Sequence, residues 1–458
     1  MTKRSITSKK LWKLGVNDFN TQYFDFNKEG DLIAKEGNNV YNIRYLAEKF
    51  GTSLEILFPY IIEERVEDLL DLSASLIKKH KYQGKFYYHY PMKSNQTKEV
   101  VQAVVGEGAN IEVSSYNELY IIKKMLEQES FNEKMRILCN GPKTDKYINL
   151  IDELQHRGLK IVPIIEGPSE LNTFQNSKYD VGIRLDVPVK SKTNWNKEID
   201  RFGFSRKEIL KMSNFKNLKV LHYRIGKIEK LSDMIETTKY ALNVYFKLKE
   251  KNPSLDTLDI GGGMPIPFER NKKYPTEKIL EKLFELLKKE SEKRELPHPN
   301  LICEWGRYMV APAQITIFKV IDTKNIIHKG VDAKKWYVID GSLMNDLVDT
   351  WAISQKWAVA PINNKLDSSL NDVWISGSSC DSDDIYTGVG GSVTLPDYDY
   401  NVNEPFYIVF FDTGAYQDAL ASHHCMLSSP IKIIAENGHI VVARKRESPE
   451  DVGKEFGW

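Results

Sequence analysis

The chain has little of what would specialise a protein early. Four cysteines occur in 458 residues. They lie far apart at Cys139, Cys303, Cys380 and Cys425, with neither a metal-pair spacing nor a disulfide framework, so they read as reduced thiols. An excess of charge is missing too. The 64 Lys and Arg against 63 Asp and Glu leave a formal net charge of +1, which excludes the strongly basic field of a nucleic-acid-binding protein and an acidic solvating tail. No apolar run is long enough to span a bilayer, and the opening MTKRSITSKK has basic residues without an apolar signal core behind them. A cytoplasmic location is the expectation. Repeats, low-complexity tracts and long linkers are also absent. What remains is a chain too long for one ordinary core, with 41% hydrophobic residues to fill two domains.

The strongest pattern present is a run of short apolar segments alternating with longer amphipathic ones. Eight strand-like segments appear: FYYHYPM from Phe86, NIEVSS from Asn110, RILCNG from Arg136, KIVPIIE from Lys160, DVGIRLDV from Asp180, KVLHYRIG from Lys219, TLDIGGG from Thr257 and LICEWG from Leu301. Helix candidates lie between them, such as SYNELYIIKKMLEQ, where Ser115 and Glu118 have capping-box spacing, and TEKILEKLFELLKKESEKR. Strand–helix alternation implies a parallel sheet, and eight repeats imply a closed (β/α)8 barrel, with a doubly wound open sheet as the competing arrangement. Ahead of the barrel, residues 53 to 80 suit an amphipathic helix broken near Pro59.

After residue 311 the pattern changes to strand-like segments: AQITIFKVID, KKWYVID, NDVWISGSS, EPFYIVFFDTGAY and IKIIAENGHIVVARKRE, the last with a hairpin signal at Asn437-Gly438. The expected domains are an N-terminal arm at 1–45 joining a β domain, a barrel at 46–310, and a mainly β domain at 311–458.

In a (β/α)8 barrel, function collects where the strands end. The first segment ends in Lys93, where an amine is sheltered yet reachable; the plainer alternative is a lysine snorkelling from a strand end. The seventh ends in Gly261, Gly262 and Gly263, which let backbone N–H groups approach a phosphate, although tight turns use such glycines too. The eighth ends in CEWGRY, with Glu304 and Arg307 at the rim, either a rim ion pair or an acid for a ring nitrogen and a guanidinium for a phosphate. Lysine, glycines and acid together ask for a lysine-anchored phosphate cofactor, and pyridoxal 5'-phosphate fits all three. No metal ligand is assigned.

The segments YPMKSN, LDIGGG, EWGRY, SCDSDD at 379–384 and DTGAY at 412–416, in this order, resemble the motifs of the alanine-racemase-fold (fold type III) PLP decarboxylases of the ornithine, diaminopimelate and arginine group. CNGPKTDKYI at 139–148, RFGFS at 201–205 and DTWAISQKWAVAPI at 349–362 most resemble the biosynthetic arginine decarboxylases. The likeness runs from about 82 to 420. It implies a head-to-tail homodimer with shared active sites, in which Lys93 bonds the cofactor and Glu304 keeps its pyridine nitrogen protonated. It also implies that Gly261, Gly262, Gly263, Arg307 and Tyr416 hold the phosphate. Cys380 and Asp381 would reach in from the partner subunit, one returning a proton to the substrate carbon and the other meeting its distal cation; structural thiol and turn cap are their plainer roles.

Two departures from the family pattern stand out. The sixth strand of the family ends His-hydrophobic-Gly-Ser, but HYRIGK here puts Arg224 and Lys227 in those places, a guanidinium able to stack on a ring and an amine able to bind phosphate. His222, two residues before Arg224, faces the same side deeper in the barrel and reads as a core histidine. Ser354 stands where the arginine decarboxylases have an aspartate. The resulting expectation is a PLP-dependent decarboxylase of a basic amino acid, arginine first. Racemisation, decarboxylation of ornithine, lysine, diaminopimelate or a conjugated amino acid, and a catalytically inactive regulatory homologue are the alternatives.

Overall fold

Eight short apolar segments become eight parallel strands: β1 Phe86–Pro91, β2 Asn110–Val113, β3 Arg136–Cys139, β4 Lys160–Ile165, β5 Val181–Leu185, β6 Leu218–Tyr223, β7 Thr257–Asp259 and β8 Asn300–Cys303. They close into a barrel in which each strand pairs with its sequence neighbour, and β8 returns to β1 in the register Leu301 to Phe86 and Cys303 to Tyr88. This computed structural model describes residues 23–128, 134–188, 201–212, 215–226, 228, 230–266, 276–363, 369–387, 392–400 and 404–458.

Helices return the chain between strands, among them Lys98–Gly106, Tyr116–Gln128, Asp145–His156, Leu231–Lys251 and Thr276–Glu292. Ser115 caps the second of these, its Oγ accepting from the Glu118 N–H at 3.2 Å. The Glu118 carboxylate accepts from the Ser114 N–H at 2.6 Å instead of closing a box on Ser115. Inside the barrel, Leu138, Val162, Ile164, Val220 and Ile302 pack together with Tyr87 against them, forming an apolar floor. Gly182 completes that floor. A β-carbon there would lie 2.3 Å from Ile164 Cδ1, so β5 closes only because this position has no side chain.

The chain falls into two compact units. One holds Glu63 to Met309 apart from 266–269, and the other holds the chain up to Ile62 and from Val310 onward. In the second unit a ten-stranded sheet carries, along its main path, Ile385–Tyr386, Leu370–Ser376, Lys335–Ile339, Gln314–Asn325, Leu54–Leu57, Ile431–Glu436 and His439–Arg444. Phe318, Tyr337, Trp357, Phe406 and Phe410 lie in its core, each worth roughly 1.5–3 kcal/mol of burial. The residues from 24 to 42 form a separate three-stranded antiparallel sheet tied to this unit by the Leu32 N–H, which donates to the Ile362 carbonyl at 2.8 Å.

The stretch from residue 53 departs from the amphipathic helix expected there. Leu54–Leu57 is a strand, antiparallel to Gln314–Asn325 and parallel to Ile431–Glu436. All four residues are buried, so the segment has no alternation by which sequence could separate it from a helix. The helix proper is Pro59–His80, with proline at its start, where a missing N–H costs nothing. Because Leu54–Leu57 belongs to the sheet, the division between units falls after Ile62 and not near residue 45.

Candidate active site

Side chains two residues apart on a strand share a face. The floor residues Leu138, Ile164, Val220 and Ile302 are therefore followed, two positions on, by Asn140, Glu166, His222 and Glu304, one layer higher towards the carboxyl ends. Gly182 is followed in the same way by Arg184, Thr257 by Asp259, and Tyr87 by the fully buried His89. With Glu112 on β2, every strand of the barrel delivers a polar side chain to a ring above the apolar floor, and Lys93 follows in the turn past the end of β1.

Lys93 sits in the single turn Met92–Ser94 immediately after β1, its side chain 31% exposed. Its Nζ donates to the carboxylate of Glu112, which is fully buried, and lies 3.5 Å from Ser114 Oγ. Ser114 Oγ in turn donates to Glu112 at 2.6 Å. Burial pushes the Glu112 carboxyl up and Lys93 pulls it back down. Amine and carboxylate are thus in direct contact, one partly exposed and the other buried.

On the neighbouring strand Glu304 is buried, its Oε1 accepting from Asn140 Nδ2 at 3.0 Å and facing His222 Nε2 at 3.6 Å. Burial opposes ionisation of Glu304, but the His222 ring, Lys93 and the Asn140 amide together hold it well below the usual carboxylate range. Burial lowers His222 in turn, against the opposing pull of Glu304. Asp259 behaves in the opposite way: burial, with Glu304 beside it, pushes its carboxyl well above the usual carboxylate range. The two acids are thus shifted in opposite directions, and Asp259 Oδ1 accepts from the Gly261 N–H at 2.8 Å. His222 is buried, as a core histidine is, and its ring faces Glu304.

The remaining members stiffen this arrangement. Glu166 accepts from the Gly141 N–H at 2.8 Å and pairs with Arg184 at 3.2 Å. Below them Lys143, with a fully buried ammonium, donates to the Gly141 and Ile164 carbonyls at 2.9 and 2.6 Å and to Glu170 at 3.0 Å. The loop carrying Asn140 is thereby tied to β4.

The three glycines after β7 are required by close backbone approach. Gly261 and Gly263 have φ of +63° and +116°, and a β-carbon on Gly263 would lie 1.7 Å from the Gly226 carbonyl. Arg224 is exposed at the rim, its Cβ 3.3 Å from where a Gly261 side chain would begin. Gly306, just before Arg307, packs so tightly on the Lys93 turn that a β-carbon would lie 1.9 Å from Ser94 Oγ. Lys93, Arg224, the glycines, Glu304 and Arg307 therefore all lie at the carboxyl ends of the strands; Lys227 lies outside the described residues.

Tyr416, Cys380, Asp381 and Ser354 belong to the other unit. Tyr416 is half-buried with φ of +69°. Cys380 is exposed, with Cys425 Sγ 3.6 Å from its own sulfur, and Asp381 pairs with His424 at 3.1 Å. Ser354 lines a small cavity together with Thr350, Trp351, Asp383 and Tyr386.

Do these residues fit pyridoxal phosphate? A buried, ionised Glu304 suits a protonated ring nitrogen, and a half-exposed Lys93 on the adjacent strand suits a bond to an aldehyde. Buried polar atoms at the centre, including Asn140 Oδ1 and His222 Nδ1, lack hydrogen-bond partners among the described residues, which points to a polar guest. The donor set fits. Sequence reasoning missed Glu112, Asn140, Glu166, Arg184 and Asp259, although each carries one signal: a polar residue at or just past the end of an apolar segment, two positions after an inward-facing one.

Comparison with known proteins agrees with this geometry. Residues 70–311 match the pyridoxal-dependent decarboxylase family at its pyridoxal binding domain. A biosynthetic arginine decarboxylase from Prochlorococcus marinus (strain MIT 9215) is 26% identical over 379 residues, covering 74% of this chain and 58% of that relative, so the chain spans little more than half of that relative's length. The Bacteroides thetaiotaomicron biosynthetic arginine decarboxylase is 21% identical, covering 89% of this chain and 85% of the relative. Among solved structures, the biosynthetic arginine decarboxylase of Campylobacter jejuni superposes with a TM-score of 0.80 at 19% identity, covering 100% of this chain and 92% of that one. A diaminopimelate decarboxylase from M. jannaschii in complex with L-lysine gives 0.78 at 24%, covering 95% and 98%. With the family matched over more than half its length and the lysine, acid and glycines of a pyridoxal site gathered at one end of its barrel, the chain belongs to the pyridoxal-dependent decarboxylases.

Proposed function

We propose that this protein is a PLP-dependent decarboxylase of a basic amino acid, with L-arginine its first substrate, and that it works in the cytoplasm as a homodimer with shared active sites. The observation that carries the reading is the pairing of Lys93 and Glu304 on adjacent strands β1 and β8, the amine facing a buried proton acceptor and the acid held ionised. Similarity to biosynthetic arginine decarboxylases supports the choice of substrate.

When bound, pyridoxal phosphate supplies a ring that takes up the electron pair left as carbon dioxide departs. The chain's residues do the rest. Glu112 takes the proton that Lys93 must lose before it can bond an aldehyde. Glu304 holds a proton at the ring nitrogen, with Asn140 and His222 fixing its carboxylate from two sides. Asp259, whose carboxyl burial pushes well up, favours its protonated form and competes less for that nitrogen. Gly261, Gly262, Gly263, Arg307 and Tyr416 hold the phosphate, and Arg224 flanks the cofactor from the rim beside Gly261. The partner subunit's Cys380 donates its thiol proton to the substrate carbon, and the partner subunit's Asp381 pairs with the distal cation in place of His424.

Ser354 takes a negative charge away from the place where the arginine decarboxylases have one, so ornithine, lysine and diaminopimelate belong in the same assay. Cofactor-loaded protein incubated with L- and D-forms of these amino acids is expected to release carbon dioxide from L-arginine. Release from none of the basic amino acids overturns the proposal. The visible absorbance of the bound cofactor is expected to vanish in Lys93→Ala. A parent protein that stays colourless after incubation with pyridoxal phosphate supports the regulatory alternative, which the positive charge of Arg224 at the rim favours.

A further inference from the structure

Cysteines that are widely separated in sequence meet at the surface. The Sγ atoms of Cys380 and Cys425 are 3.6 Å apart, and both residues are exposed. A free cysteine usually behaves as a small buried hydrophobe, so burial within the chain does not explain two exposed ones in contact. The contact is one of two between the same segments, because the next residue on one side, Asp381, pairs with the preceding residue on the other, His424, at 3.1 Å.

Both backbones are held in place. Asp384 accepts from the Ser379 N–H at 3.2 Å, and Asp381 accepts from the Asp383 N–H at 2.9 Å. Across from them, Asn345 Nδ2 donates to the His424 carbonyl at 3.0 Å, and Ser422 Oγ donates to Asn345 Oδ1 at 2.9 Å. The sulfurs stand about 1.5 Å farther apart than a bonded pair at roughly 2.05 Å.

We propose that Cys380 and Cys425 form a reversible intrachain disulfide by exchange with a low-molecular-weight disulfide. The thiolate of one cysteine, its proton given to solvent, attacks a sulfur of the small disulfide, and the first small thiolate leaves and takes up a proton. The second cysteine, deprotonated in turn, attacks the protein sulfur of the mixed disulfide and expels the second small thiol. Two protein thiols are oxidised, one small disulfide is reduced to two thiols, and protons balance. In a reducing compartment such bonds are transient and serve as sensors. The effect on turnover rests on the function proposed above: once bridged, Cys380 has no thiol proton to give, while Lys93 and Glu304, in the barrel, still hold the cofactor.

The test is to expose full-length, cofactor-loaded protein to glutathione disulfide, alkylate the free thiols, digest, and look by mass spectrometry for a peptide joining Cys380 to Cys425. The bridged peptide is expected in the parent and absent from Cys425→Ser, and dithiothreitol should remove it. Carbon dioxide release should fall on the order of a hundredfold, the size of a general acid's contribution, with the cofactor absorbance retained and activity restored by reduction. Glutathione attached to Cys380 with no bridged peptide overturns the proposal, as does a bridge that leaves turnover unchanged. If the reduced protein releases no carbon dioxide from any amino acid, the decarboxylase reading fails, and the bridged peptide still decides the redox pair.

Discussion

Lys143 offers the sharpest test of how the ring is held. Its ammonium is fully buried and donates to Gly141, Ile164 and Glu170. Lys143→Met keeps most of the volume but strands Glu170, which is 6% exposed and also accepts from the Lys143 and Glu166 N–H groups, both at 3.0 Å. Breaking a buried pair from one side costs about 3–5 kcal/mol, which corresponds to a fall in melting temperature of roughly 6–20 °C for a unit of this size. Lys143→Met combined with Glu170→Gln removes the stranded charge, and a coupling of about 0.5–3 kcal/mol should be recovered. Urea unfolding by tryptophan fluorescence reads the energy, and hydrogen exchange over Asp145–His156 and Lys160–Ile165 shows whether the loss is local. A single variant costing less than about 1 kcal/mol, or a double variant no better than the single, refutes the reasoning.

Glu304→Gln keeps the shape but not the charge, so carbon dioxide release should drop on the order of a hundredfold or more, with cofactor binding retained in an absorbance titration; unchanged turnover removes Glu304 from its role. Asp346 is buried, and burial lifts its carboxyl to about 8. The folded protein therefore keeps a proton that the unfolded chain loses near the ordinary carboxylate value. That contribution is complete below about pH 4 and is lost towards pH 8, with a slope of at most about 1.4 kcal/mol per pH unit. Denaturant midpoints of Asp346→Asn across this window should slope less than those of the parent. Gly306→Ala forces a β-carbon onto Ser94 Oγ and is expected to cost about 1–3 kcal/mol; pairing it with Ser94→Gly should recover part of the stability in thermal melts.

The barrel was legible because its strands are short, apolar and separated by longer amphipathic stretches, and all eight segments proved to be strands. Lys93, Glu304 and the glycines could be placed because each ends its segment abruptly. The Glu112–Lys93 and Asn140–Glu304 contacts were not legible, since they join residues 19 and 164 positions apart and neither leaves a local pattern. The strand Leu54–Leu57 was hidden for a different reason: its partners, Gln314–Asn325 and Ile431–Glu436, lie hundreds of residues away. The meeting of Cys380 and Cys425 across 45 positions was equally invisible in the spacing that made them look scattered.

Lys93 follows the first barrel strand and Glu304 the last, and the seam between those strands is where Gly306 packs on Ser94. On the function proposed above, neither end of the cofactor's grip exists until the sheet has joined its two edges. Loading is therefore coupled to ring closure during folding. A half-formed barrel has the lysine without the acid, and ligand affinity adds its free energy only to the closed state. The appearance of colour in a refolding reaction should then time the joining of β8 to β1, and the empty protein should exchange its amide protons fastest along that seam.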